Sequence, residues 1–524
     1  VPPNRTSGER GASQPPVRTE LDGVSAKVTK RRNSGEAGQE IRIVFAGLAL
    51  AMFLASLDQT IIATTLPSIS GDLGSLAQLS WIVTVYHLAS AATTPLWGRS
   101  SDLYGRKRLF VAAIVVFLAS SALCGLAQDI GQLIAFRACQ GLGAGGMMTL
   151  AMAVLADVVA PRERGRYQGY LQLVFTLASV LGPFLGGLLV DITSWRWVFY
   201  VNLPIGAVAL LVVITKLKLP QTRSKRSVDV PGAVLLTGGV VCLLMVTEWG
   251  GKRAAWDSAE ILSLIGGAVV LLGIFAFWER RAAEPILPPR LFRNPVFVVV
   301  ALTLFLSTCM MFAVLMFTPL FLQIVVGAKA TSTGLLLLPM TIGITLSTTV
   351  SGKLIAKTGR YKHFPVIGLM IATVVGFLLS RITQETSQLT VTVYALLFGV
   401  GFGMVAQVLV TAVQNGAERQ DIGIATASAN FFRSLGASIG SAVLGSVFAS
   451  GLDSRLGSGA GGVSAQEIQA APQDIQRLPE AARAAISSGV TESVTTVFLI
   501  AAIVAAAAVV TVLFLKETPL RRVQ

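Results

Sequence analysis

Charge is scarce in this sequence. Asp, Glu, Lys and Arg together make up 13% of its 524 residues, about half the ~25% of ordinary soluble domains. So small a stock cannot cover a water-facing surface, which excludes the soluble globular class. Histidine is scarcer still: His87 and His363 are the only two, and a histidine-rich metal site is excluded. Cys124, Cys139, Cys242 and Cys309 are the only cysteines, each inside an apolar run and none in a CxxC pair. Neither a disulfide framework nor a zinc site is indicated. No GxxxxGK[ST] phosphate loop occurs, which argues against ATP as a driving force. No hydrolytic motif is present either, so the chain is not expected to be an enzyme, and no cofactor or metal is called for. No cleavable signal peptide is visible.

What the chain has instead is apolar length: 53% of it is hydrophobic. A spanning helix needs about 20 mostly apolar residues. Fourteen candidates occur, at 42–66, 80–97, 109–127, 130–155, 168–190, 197–215, 230–248, 261–278, 296–320, 333–352, 364–380, 389–413, 424–449 and 493–515. The net charge of +15 does not point to nucleic acid, because the cations form short clusters between apolar runs. Those clusters recur on alternate loops, and the positive-inside rule then puts both termini in the cytoplasm. Residues 1–41, polar and rich in Pro, Ser, Gly and Arg, read as a disordered cytoplasmic tail. Residues 516–524 form a second tail, and 450–492 one long outer loop within which helical stretches are allowed.

"GRSSDLYGRKR" (98–108) lies on an inner loop, and "GKLIAKTGRYK" (352–362) echoes it. Gly98/Gly352, Arg99/Lys353, Gly105/Gly359 and Arg106/Arg360 share an offset of 254, while Asp102 faces Ala356. Two related halves are implied: a bundle at 42–217 and another at 296–515, with helices 7 and 8 inserted between them at 218–295. Repeats of this kind mark secondary transporters with a substrate path at their interface.

A charge at bilayer depth is costly and functional by default. Asp58, Arg137 and His87 lie on three different helices. At 1.5 Å per residue they sit about 13, 12 and 10 Å from the same membrane face. This common depth suggests a shared polar cavity; a purely structural ion pair is the plainer alternative. Arg137 and Gln140 share one helix face. "GLGAGG" (141–146) lies inside an apolar helix with no preceding strand, so it reads as a close-packing stripe and not a nucleotide loop. Gly182 and Pro183 interrupt helix 5, as a packing kink or as something more.

Several stretches together resemble the major facilitator superfamily, and within it the fourteen-helix drug:proton antiporters of the EmrB/QacA type. They are "LDQTIIATTLP" (57–67), "GRSSDLYGRKR", "LIAFRACQGLGAGG" (133–146), "LGPFLGG" (181–187), "SWRWVFYVNLPIG" (194–206) and "FFRSLGASIG" (431–440). Ala178 and His87 depart from the family pattern, which usually has glycine and an apolar residue there. The fold implied is an all-α polytopic membrane protein, with two six-helix bundles plus two linker helices.

The resemblance implies proton-driven export, with Asp58 exchanging its proton for substrate beside Arg137. It implies that Asp102 docks one half on the other as the transporter opens outward, in a latch of Gly98, Asp102, Gly105 and Arg106. The expected partner is the helix start near Gly423, where free N–H groups favour an anion. It implies that Gly182, Pro183, Gly186 and Gly187 form a flexible gate against leakage. Tyr86, His87, Gln140, Phe305, Met311, Phe312 and Phe431 are candidates to line a substrate cavity. Arg433 is another, a structural hydrogen bond being as good a reading. The expected function is antiport of protons against amphipathic, often cationic, compounds by a monomer in the cytoplasmic membrane. Two alternatives stay open: a dedicated exporter of one endogenous product such as an antibiotic, siderophore or lipid, and a receptor or scaffold that moves nothing.

Overall fold

The computed structural model describes residues 18–73, 79–159, 161–217, 229–250, 254–282, 285–327, 338–418, 421–456 and 480–517. Among them the chain is helical, with one isolated bridge between Gly250 and Ala254. In order the helices are α1 (Arg18–Leu73), α2 (Leu79–Tyr104), α3 (Arg106–Leu126), α4 (Ile130–Val158), α5 (Pro161–Ile192), α6 (Trp197–Tyr200) and α7 (Asn202–Lys216). The middle of the chain gives α8 (Val230–Trp249), α9 (Ala259–Glu279) and α10 (Pro289–Arg293). There follow α11 (Pro295–Ile324), α12 (Leu338–Thr358), α13 (His363–Leu379), α14 (Gln388–Gly403), α15 (Ala406–Gly416), α16 (Ile422–Leu456) and α17 (Glu480–Leu513).

Eleven helical segments among the described residues are long and apolar enough to cross a membrane. The other three expected spans fall in α2, α12 and α13; α13 is apolar but has only 17 residues. α1 extends back through residues 18–41, part of the expected tail. No proline occurs between Pro16 and Pro67, so nothing in that stretch removes a backbone donor. Residues 1–17, 218–228, 457–479 and 518–524 of the expected tails, linker and outer loop lie outside the described residues. The helix expected at 389–413 is broken at Met404 and Val405, after Gly399, Gly401 and Gly403. Thr348 donates its hydroxyl to the Gly403 carbonyl at 2.7 Å, which satisfies an acceptor at the break.

The packing repeats. α1 lies against α5 and α7, as α11 lies against α16 and α17. α2 and α3 flank α4, as α12 and α13 flank α14. The loop echo has the same backbone: Gly105 and Gly359 both adopt a left-handed φ, +94° and +72°, which favours glycine. Shortly after each, a lysine caps a neighbouring helix. Lys107 donates to Ile214 O in α7 at 2.7 Å, and Lys362 to Leu513 O in α17 at 2.8 Å.

Between the halves α2 and α4 touch α16, and α5 touches α12 and α15. α8 pairs with α9 and also packs on both α2 and α16.

The glycine stripe places α4. A Cβ on Gly141 or Gly145 would press on the α2 backbone at Tyr86 O (2.4 Å) and Ser90 O (2.5 Å). One on Gly143 would meet the α3 backbone at Phe117 N (2.6 Å). Trp97 fastens the contact by donating Nε1–H to Leu142 O at 2.8 Å. Gly143→Val should therefore lower stability by about 1–3 kcal/mol through forced separation of α3 and α4. Gly187→Ala should instead raise it by about 0.5–1 kcal/mol, the helix preference of alanine over glycine, since a Cβ there meets nothing within 4 Å. Thermal unfolding of the two variants in detergent measures both.

Candidate functional site

Asp58 is buried to 1% exposure, and so is Arg137. Arg137 Nη1 lies 2.5 Å from Asp58 Oδ2. The same nitrogen donates to Gln140 Oε1 at 2.9 Å, and Nε–H to the Ile82 carbonyl at 3.2 Å. Gln140 Nε2 donates to Asp58 Oδ1 at 2.9 Å, and Asn202 Nδ2 to the same oxygen at 3.1 Å. Both amides also donate to Ser121 Oγ, at 3.1 and 3.0 Å, and the Ser121 hydroxyl donates to Phe199 O at 2.9 Å. The guanidinium lies 4.2 Å from the Tyr86 ring centre, and the Tyr86 hydroxyl donates to Ala55 O. Thus α1, α2, α3, α4 and α7 each contribute a group to one buried network. Low dielectric strengthens every bond in such a network and penalises every omission.

The local sequence explains the arrangement. Arg137 and Gln140, three apart on α4, face the same way. The glycines that follow let α4 sit close enough to α2 and α3 for both side chains to reach Asp58. Asn202 and Ser121 were not anticipated. Asn202 is the one strongly polar residue of "VFYVNLPIG", and that isolation was the signal available. Ser121 resembles many serines of apolar helices and offered none.

Beside the network lies a cavity of about 460 Å³. Its walls come from α1, α2, α4, α5, α8, α11 and α16. Its lining mixes apolar residues, Met52, Met148, Met152, Phe175 and Phe312 among them, with polar ones that include Gln59, His87, Thr149, Asn430, Arg433 and Ser434. Of the expected lining residues, His87, Phe312 and Arg433 are there. Tyr86 and Gln140 are not: both are fully buried, in the Asp58 network. Phe305 and Met311 are also absent from the lining, and Met311 packs instead on the core of the second half. Phe431 is buried edge-on against Phe432, 5.7 Å away. The helical turn decides this. Arg433 shares its face with Asn430 and Ala437, and Phe431 points elsewhere.

Asp102 reaches across to the second half. Its Oδ1 accepts the Gly423 N–H at 3.2 Å and its Oδ2 the Ile424 N–H at 2.8 Å. Arg106 bonds the same carboxylate at 3.0 Å and also pairs with Asp157. A Cβ on Gly423 would lie 2.4 Å from Asp102 Oδ1, and one on Gly98 would lie 2.3 Å from Ala427 Cβ. Burial pushes the Asp102 carboxyl from 3.8 up to about 6, against the opposing pull of Arg106 and of the Ile424 and Gly423 N–H groups. Further bonds between the halves lie towards this end or midway along the helices: Thr411 to Gln168 at 2.8 Å, Gln414 to Met152 O at 3.4 Å and Thr176 to Thr345 at 3.0 Å.

Gly182, Pro183, Gly186 and Gly187 lie inside α5, which runs on as one helix. Gly182 is pressed on Thr60, where a Cβ would be 2.0 Å from Oγ1, and the Thr60 hydroxyl donates to Ala178 O at 3.1 Å.

Two helical halves around a cavity, with a buried ion pair beside it, define a multi-pass membrane transporter. The chain belongs to the Major Facilitator Superfamily, whose pattern it matches over residues 48–441. It is 41% identical to an uncharacterized MFS-type transporter, MT1926, of Mycobacterium tuberculosis (strain CDC 1551 / Oshkosh), over 91% of this chain and 70% of that protein. It is 35% identical to Multidrug resistance protein 3 of Bacillus subtilis (strain 168), over 90% of this chain and 95% of that protein. Its fold is similar to that of the proton:xylose symporter XylE, with a TM-score of 0.57 over 89% of this chain and 95% of the other, at 15% identity.

Breaking a buried pair from one side costs about 3–5 kcal/mol, because the other charge stays behind. Arg137→Gln should lose that much stability, and the double variant Asp58→Asn/Arg137→Gln should recover a large part of it. Thermal unfolding of wild type, both single variants and the double variant in detergent gives the cycle.

Proposed function

We propose that this chain is a proton-coupled exporter of amphipathic compounds. It would cross the cytoplasmic membrane fourteen times, as a monomer of the EmrB/QacA type with both termini in the cytoplasm. The observation that carries this reading is the ion pair of Asp58 and Arg137, sealed beside a cavity between the two halves. Gln59, next to Asp58, and His87, next to Tyr86, both line that cavity.

The network supports both states of the acid. Ionised, Asp58 has Arg137, Gln140 and Asn202 as donors. Protonated, it needs an acceptor, and Asn202 Oδ1 is buried without a partner. A flip of the Asn202 amide would offer it. Protonation then removes the counter-ion of Arg137, whose guanidinium must shift, and that shift couples the proton to the helices on either side. Asp102, docked on the start of α16, holds the cytoplasmic end shut while the cavity faces outward.

Proteoliposomes test the coupling. With Asp58→Asn, accumulation of substrate driven by an imposed pH gradient should be lost, while exchange of labelled for unlabelled substrate without a gradient continues. Wild-type accumulation by that variant would sink the assignment. The latch makes a separate prediction about pH. Engaged, the Asp102 carboxyl holds its proton up to about pH 6; released into water, only to its ordinary 3.8. Acidification from pH 7 towards 4 therefore favours the engaged form, by at most on the order of a hundredfold. Spin labels placed on α3 and α16 at that end should draw together as pH falls, and Asp102→Asn should flatten the response.

A further inference from the structure

We propose that the cavity binds amphipathic anions, through Arg433. This names the substrate class of the exporter proposed above and rests on that reading. It reverses the cationic preference expected from the sequence.

Four observations lead to it. Arg433 lines the cavity, and among the described residues it has no hydrogen bond, ion pair or ring partner. Two other buried arginines are matched by acids: Arg137 by Asp58, and Arg106 by Asp102 and Asp157. A guanidinium that faces a cavity with no counter-ion is a site for one. Second, the described lining contains no carboxylate. Asp58, the acid next to it in sequence terms, is buried and occupied by three donors. A cationic guest would meet Arg433 with nothing to offset the repulsion.

Third, Arg433 does not stand alone. Asn430, Ser434, Ser438 and Ser441 recur on the same stripe of α16, and His87 faces the cavity from α2. Hydroxyls and amides can donate to an anion along with the guanidinium, whose planar fork suits carboxylate, sulfonate or phosphate oxygens. Fourth, the lining also holds apolar side chains, Met52, Met148, Met152 and Phe175 of the first half and Phe312 of the second. A guest with a charged head at α16 and an apolar body against these side chains is served by both kinds of lining. At about 460 Å³ the space lies within the range of small-molecule sites.

The test uses one naphthyl-alkyl probe in three forms, ending in a carboxylate, a neutral amide or a trimethylammonium group. Radiolabelled flux is measured in proteoliposomes of the full chain, with and without a pH gradient. Equilibrium binding in detergent is measured alongside. The carboxylate should be carried at least tenfold faster than the ammonium form. Arg433→Gln should weaken carboxylate binding and flux by roughly tenfold to a hundredfold, the worth of a charged hydrogen bond. Arg433→Lys should restore part of the loss. Flux of the amide should be nearly unchanged in both, which shows that the variants are folded.

A proton-driven protein that prefers the ammonium form overturns the anion assignment alone. So does an Arg433→Gln variant that binds the carboxylate like wild type. Carboxylate flux that depends on Arg433 but ignores the pH gradient upholds the assignment and overturns proton coupling instead.

Discussion

Everything near the cavity is arranged around one electrostatic constraint: Asp58 and Arg137 are held out of water together. Removing two charges from water costs several kcal/mol each, and their attraction repays it only if the remaining valences are met. That requirement accounts for the polar residues around them. Gln140 bridges acid and base, Asn202 and Ser121 complete the acid's surroundings, and Ile82 O takes the Arg137 Nε–H. Tyr86 covers the face of the guanidinium. It also accounts for the glycines, since side chains on α4 reach Asp58 only if α2, α3 and α4 lie nearly backbone to backbone. The packing of the first half and the chemistry beside its cavity are thus one design.

The second half repeats the packing, and among the described residues it has no counterpart of the Asp58–Arg137 pair. Its loop has the same left-handed glycine, Gly359, and its lysine caps the last helix in the same way. Asp102 has Ala356 as its counterpart, so the echo loop brings no matching carboxylate to this end. The counterpart loop also meets a helix start, with Gly352 lying against Gly165 near the start of α5, but Ala356 offers no carboxylate there. That loop is tied as well to the end of the chain, through Glu517 and the Tyr361 N–H at 2.7 Å.

Residues that repeat or carry charge were legible in the sequence, and residues whose role depends on direction were not. Apolar length showed the helices, and the 254-residue offset showed the halves. A common depth along the membrane normal brought Asp58 and Arg137 together before any coordinates. Depth does not give rotation about a helix axis. Tyr86 and His87 are neighbours at almost the same depth, yet one lies under Arg137 and the other in the cavity. Gln140 was assigned to the cavity for the same reason. Phe305, Met311 and Phe431 were named by residue type, and type is silent on which face of a helix is turned inward. Ser121 and Asn202 carry no charge and so left little trace. The extension of α1 through 18–41 ran against a composition typical of tails, because composition does not register the absence of proline.

The geometry also limits how the two ends can communicate. α16 begins at the Asp102 dock and carries Arg433 ten residues further on, about 15 Å along a straight helix. The docking point and the cavity's free cation are therefore on one rod. α4 is its opposite number: it carries Arg137, and its Met152 carbonyl accepts Gln414 of the second half. Release of Asp102 frees the start of α16 while its middle still faces α2 and α8. A helix moved at one end swings as a unit unless something breaks it, and α16 contains no proline. In the mechanism proposed above, opening of the latch would therefore move Arg433 as well. α8 belongs to the same argument. It packs on both α2 and α16 and puts Leu244 and Thr247 into the cavity wall. The α8–α9 pair thus covers the line where α2 and α16 meet beside the cavity.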